Sequence, residues 1–289
     1  MRWAKLIRNT VQAAVEDDLL NWSAALAFYF LFALFPAVLI VAALLSTFDL
    51  QGLTQSLVAA LGRHLPQQVA TMVVGELDNL LRHHVPGLIS TGIVVLLYSA
   101  SQGFTALMAA LNAAYEVPET RSFGRRTLLA WGLTFSAGAA MALALALVVL
   151  GERVLPILVG PAYLNVSGAL APLWPVIRWA VTVAFLALAV RLLYHYAPNA
   201  RPSASGGFAA VGFALALWIV ASALFAAYVD RFSYYAAVYG SLGGVIALML
   251  WFYILALTLL MGAEFHNEWL KQRGEHREAP PAHSYPKAA

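Results

Sequence analysis

Residues 239–265 read YGSLGGVIALMLWFYILALTLLMGAEF: three glycines, then an apolar run without one charged side chain, then Glu264. A helix needs roughly 20 apolar residues to cross a hydrocarbon core about 30 Å thick, and Ser241 to Ala263 supplies them. Five further segments meet the same requirement: Ala24 to Phe48, Leu88 to Leu111, Thr127 to Leu150, Leu173 to His195 and Gly207 to Tyr228. Hydrocarbon offers no partner to an open sheet edge, so runs of this length are helices. The expected fold is all-α, a polytopic membrane protein with six transmembrane helices in one bundle. Composition agrees: 62% hydrophobic and 11% charged residues, with a mean hydropathy of +0.76, lie outside the range of soluble domains.

Around this bundle (residues 23–266) the sequence predicts an amphipathic arm, 1–22, and a disordered tail, 267–289, with mixed charge and Pro280, Pro281 and Pro286. In the arm Trp3, Leu6, Ile7, Val11, Ala14 and Val15 recur at helical spacing beside Arg2, Lys5 and Arg8, the pattern of a helix on an anionic membrane surface; a solvated arm is the alternative. No cleavable signal peptide is expected. The connection from Asp49 to Gly87 predicts an amphipathic helix after Pro66, with Val69, Met72, Val73, Leu77, Leu80 and Leu81 on one face.

Lysines and arginines set the orientation. Arg2, Lys5, Arg8, Arg121, Arg125, Arg126, Arg191, Arg201, Lys271, Arg273, Arg277 and Lys287 fall on one side of six crossings, against Arg63, Arg82, Arg153, Arg178 and Arg231 on the other. Positive charge favours the cytoplasm, so both termini are expected there, in the bacterial inner membrane. The pI of 9.2 reflects this bias rather than a nucleic-acid partner. Membrane lipids are the expected partners, together with a small amphiphilic substrate if the protein transports. Neither cofactor nor metal is expected. Cysteine is absent, and His64, His83 and His84 lack a second ligand pair at helical spacing.

Polar residues inside spans either hold helices together or line a path. Ser99, Ser101 and Gln102, in LLYSASQGF, are such residues, and both readings stand. Pro36 frees a carbonyl near the middle of the first span and predicts a kink, as a hinge or as fixed packing. Gly240, Gly243 and Gly244 permit close helix approach at one end of the last span. Glu264 sits at its other end, where the helix dipole disfavours a carboxylate. It either pairs with one of Arg121, Arg125 and Arg126 or faces water; Arg201 is a further inner-rim charge. Arg191 lies near enough to the end of its span to snorkel.

The stretches NWSAALAFYFLFALFPAVLI, SASQGFTALMAALNAAYEV, LLYHYAPNARP and YGSLGGVIALMLWFYILALTLLMGAEF resemble, in this order, the signatures of the YihY/BrkB family, from about Asp17 to His266. The resemblance implies an uncleaved six-helix inner-membrane protein, in a family that carries virulence and serum-resistance labels and is connected with the movement of envelope amphiphiles. Some members bear an old ribonuclease label. Metal-assisted phosphodiester hydrolysis needs clustered His and Asp ligands, and His195 and His266 stand far apart in sequence with no such cluster expected around them. No enzyme is expected. Two readings remain: a transporter or flippase for an anionic amphiphile, and a non-transporting scaffold.

Overall fold

The computed structural model describes residues 3–47, 88–139, 174–200, 203, 205–231 and 241–275. Every regular element among them is an α-helix: α1 (Trp3–Glu16), α2 (Leu19–Thr47), α3 (Leu88–Ala114), α4 (described over 123–139), α5 (Trp174–Tyr196), α6 (Gly207–Arg231) and α7 (Ser241–Arg273). Among the described residues, three stretches are long and apolar enough to cross a membrane: Trp179–Tyr196, Gly207–Val229 and Gly243–Arg273. The expected helix within 49–87, residues 140–150 of the third span, Gly240, Arg201, the three outer histidines and the tail beyond 275 lie outside the described residues.

Three helix ends position the polar residues. Asp18 has a left-handed backbone (φ 58°), which Asp tolerates better than most residues, and it separates α1 from α2. Its carbonyl then accepts from Asn21 N and Trp22 N, opening α2. α3 closes in a Schellman motif: Glu116 N donates to the Ala113 carbonyl (2.7 Å) and Val117 N to that of Asn112 (2.9 Å), with Glu116 left-handed at φ 51°. α7 closes in the same motif, Gly274 N to Lys271 O and Glu275 N to Leu270 O, but with glycine in the left-handed position.

α7 is the central element, packed against α1, α2, α3 and α6; α2 also lies along α3, and α5 along α6. The main core gathers Leu6, Leu19, Met108, Leu111, Tyr115, Tyr194, Leu260 and Leu270 toward one end of the bundle. Much of the remaining helix surface is apolar and exposed, as at Ile219, Leu224, Val183 and Phe208, a surface suited to lipid rather than water.

Two expectations change here. The arm's apolar face divides: Leu6, Thr10, Ala13 and Ala14 are buried, while Trp3, Ile7, Val11 and Val15 form an exposed stripe at four-residue spacing. α1 packs on α7 and α2, so only this stripe remains for a lipid surface. Residues 267–273, assigned to the tail by their charges, continue α7, and residues 262–270 are all buried. Their polar groups find partners across the bundle, which composition does not register. α2 is helical on both sides of Pro36.

Candidate functional site

The polar residues collect at the end of the bundle where α3 and α5 stop and α7 runs on. After α3, Glu119 receives Arg121 Nε (2.8 Å) and Nη2 (2.7 Å), while Arg121 Nη1 reaches the Ala197 carbonyl at 3.1 Å. Asn112 Nδ2 donates to Glu119, and Asn112 Oδ1 accepts from Asn199 N at 2.7 Å. Asn199 Nδ2 is shared by the Pro118 carbonyl and the Thr120 hydroxyl, both at 2.8 Å. The segment Pro198–Ala200 is thus clasped to the α3–α4 connection. Burial alone would raise the Glu119 carboxyl; the bonds from Arg121, its charge and Asn112 outweigh it and hold the group below its ordinary range.

Along α7, His266 Nε2 lies 2.9 Å from the Ser205 carbonyl and Nδ1 lies 2.9 Å from the Tyr115 hydroxyl. A carbonyl only accepts, so Nε2 donates; in the neutral ring Nδ1 then accepts from the phenol. Lys271 Nζ bridges Glu116 and Glu268, 2.6 Å from the latter, and Asn9 Nδ2 brings α1 to Glu268. His266 is committed on both nitrogens.

Glu264 is completely buried, and neither carboxylate oxygen has a hydrogen-bond partner. Among the described residues it makes no ion pair with Arg121, Arg125 or Arg126: Arg121 is held by Glu119, and Arg125 is exposed. Water does not reach it either. Instead a carboxylate oxygen from each of Asp17, Glu116 and Glu264 lies within 4.8 Å of the other two. Burial, then Glu116, raises the Asp17 carboxyl above its ordinary range. No cluster of His and Asp ligands is expected here from the sequence, and the three carboxylates that do meet include neither His195 nor His266. Asp17 stands at the α1–α2 junction, Glu116 just after α3 and Glu264 within α7, and the packing of α1, α2 and α3 on α7 brings the three to one level. A sequence signal existed, an acid at the same-side end of three spans, though not one that spacing reveals.

A cavity of about 190 Å³ opens among α2, α5, α6 and α7, lined by Phe30, Val190, Ala214, Trp218, Ala256 and Leu259 among others. It is almost wholly apolar, yet Trp218 Nε1 is buried with no acceptor. Beside Val190, Arg191 does not snorkel: its guanidinium packs on the first residue of α6, so that a Cβ on Gly207 would stand 2.6 Å from Arg191 Cζ. Arg191 Nη1 is buried without an acceptor, as is Trp269 Nε1, which presses against Gly206. Gly207 precedes Ala214 by seven residues, about 10 Å along the helix.

Ser99, Ser101 and Gln102 line neither this cavity nor the one beside Asp17. Ser101 and Thr105 hydroxyls bond to carbonyls of their own helix, at Tyr98 and Ser101. Ser99 is buried and Gln102 half-buried. Gly244 is buried and Gly243 half-buried; a close glycine approach that was not anticipated lies at Gly262.

Residues 10–286 match the family model described as "Virulence factor BrkB", beyond both limits of the Asp17–His266 resemblance. YfkH of Bacillus subtilis, named only as ribonuclease-like, is 33% identical over 261 residues, covering 90% of this chain and 93% of that protein. UPF0761 membrane proteins of Ralstonia nicotianae and Paraburkholderia xenovorans are 28% and 29% identical over 274 and 279 residues, 89% and 90% of this chain. The chain spans 57% and 58% of those two relatives. No solved structure matches.

Proposed function

The chain belongs to the BrkB family of membrane proteins, and from that premise we propose that it moves an anionic amphiphile across the bacterial inner membrane, as a six-span bundle with both termini cytoplasmic. The observation that carries this reading is the apolar cavity, lined by Trp218 with its Nε1 unpaired, together with two buried donors without acceptors, Arg191 Nη1 and Trp269 Nε1, at the start of α6. Its walls suit an alkyl chain. Arg191 Nη1, Trp269 Nε1 and the positive end of the α6 dipole suit an anionic head about 10 Å away. An arginine on a helix N-terminus sets like charge on like charge, an arrangement that an anion would relieve.

The stripe of Trp3, Ile7, Val11 and Val15 fits a cytoplasmic arm lying in the headgroup layer. The competing reading, a non-transporting scaffold, draws on the clasp around Asn112 and Asn199, whose polar groups satisfy one another within the protein.

The test is translocation of a labelled anionic lipid between leaflets of proteoliposomes containing wild type, Arg191→Gln or no protein. Losing one charge-assisted hydrogen bond corresponds to about a ten-fold slower rate. A wild-type rate equal to that of empty vesicles would sink transport of that lipid. Equal rates in wild type and variant, both above empty vesicles, would remove Arg191 from the path.

A further inference from the structure

We infer that Asp17, Glu116 and Glu264 form a binding site for a single hard divalent cation, of the magnesium, calcium or manganese class. The three carboxylates come from three separate places in the fold: the α1–α2 junction, the end of α3 and the interior face of α7. Oxygens bound to one such ion at 2.0–2.6 Å sit roughly 3 to 5 Å apart, depending on whether they are adjacent or opposed. The separation of 4.8 Å or less already falls in that range. An all-oxygen donor set selects this class over zinc or copper, which favour imidazole and thiolate.

Glu264 points to a ligand independently of the cluster. Its side chain has no exposure and both oxygens lack partners, and burial of an unpartnered carboxylate is costly unless a cation or proton answers it. Among the described residues no facing cation is bonded to it. α1 and its junction present Glu16 and Asp17, α3 presents Glu116, and α7 presents Glu264, Glu268 and Lys271. Lys271 is the one cation among these, and it is engaged by Glu116 and Glu268.

Access and backbone geometry agree. A cavity of about 210 Å³ lined by Asn9, Gln12, Glu16, Asp17, Glu116 and Lys271, among others, opens beside two of the three ligands, leaving room for water in the remaining coordination positions. Glu116 also holds a left-handed position that α7 gives to Gly274. Glycine there would be the less strained choice for the backbone; glutamate instead turns a carboxylate toward Asp17 and Glu264.

The experiment uses the full chain in detergent, stripped with chelator and titrated with Mn²⁺, followed by electron paramagnetic resonance of free ion and by thermal unfolding. One saturable site is expected, displaced by Mg²⁺ or Ca²⁺, with a rise in Tm. Glu264→Gln and Asp17→Asn each weaken Mn²⁺ binding by about ten-fold or more and abolish the Tm response, whereas Glu119→Gln, an acid at the same end outside the cluster, leaves both intact. Glu264→Gln removes a buried charge and is expected to fold at least as well as the stripped wild type, and Glu116→Gly relieves backbone strain while removing a ligand. No saturable binding by wild type overturns the site, with Glu264 then held by a proton. So does binding that survives Glu264→Gln and Asp17→Asn, or that Glu119→Gln weakens equally. None of these outcomes depends on whether the protein moves a lipid.

Discussion

The Tyr194 hydroxyl occupies the space that a side chain on Gly262 would need: a Cβ built there would lie 2.2 Å from Tyr194 Oη and 2.6 Å from Ala214 Cβ. The hydroxyl is held in place by its bond to the Leu259 carbonyl at 2.6 Å, one turn earlier on α7. Gly262 thus sets how closely α5 and α6 approach α7. Overpacking of this kind costs about 1–3 kcal/mol. Gly262→Ala should lower Tm, and Tyr194→Phe in the same chain should recover part of the loss, because one of the two collisions disappears. Strict additivity of the two changes in unfolding measurements would refute the coupling.

Glu119 supplies the pH dependence of the clasp. Its folded-state pKa is depressed, so its stabilisation is complete above the unfolded value, about 4.3, and is lost as pH falls through the folded value. Wild type should therefore exceed Glu119→Gln in stability at neutral pH and converge with it under acid. The Glu119 side chain is about a quarter exposed, and solvent screening holds the difference to under about 1 kcal/mol. Thermal unfolding of both proteins across pH 3 to 7 measures it; a constant gap would refute the linkage.

Asn199 has a heavier structural role. It is buried, and its amide nitrogen serves two acceptors. Asn199→Asp substitutes an acceptor for that donor and leaves Pro118 O unmatched, at a cost of about 1–3 kcal/mol. Asn199→Asp should be less stable than Asn199→Ala, because the alanine brings no buried charge; the reverse order in chemical unfolding would count against the clasp.

Gln102 separates path from packing. As a bridge between helices it contributes about 1 kcal/mol, and Gln102→Leu should then lower Tm modestly while lipid translocation follows the folded amount. Loss of translocation at unchanged Tm would return Gln102 to the path in place of the apolar cavity and Arg191.

Orientation is checked by reporter fusions. Fusions after Arg126, Arg201 and Arg277 should report cytoplasm, and fusions within 49–87 the opposite side. An outer signal after Arg126 would overturn the six-span arrangement.

The apolar runs are legible without a structure because membrane crossing depends on the length and continuity of a local stretch. The run from Ser241 to Ala263 identifies α7 as a membrane helix whatever surrounds it. The charges that follow misled for the same reason: read locally, Asn267 to Arg273 resembles the beginning of a solvated tail. Only packing shows that His266, Glu268 and Lys271 have partners on α3, before α6 and on α1.

Sequence by itself determined the helical membrane class, the family resemblance and the side bias of positive charge, all properties additive along the chain. Tertiary structure decided which polar groups meet. Asp17, Glu116 and Glu264 are separated by most of the chain, and nothing in their spacing joins them. They converge because the α1–α2 junction and the end of α3 pack against the interior face of α7 at the level of Glu264. The state of a carboxylate depends on what lies within a few ångströms of it, and that distance is measured through space rather than along the sequence.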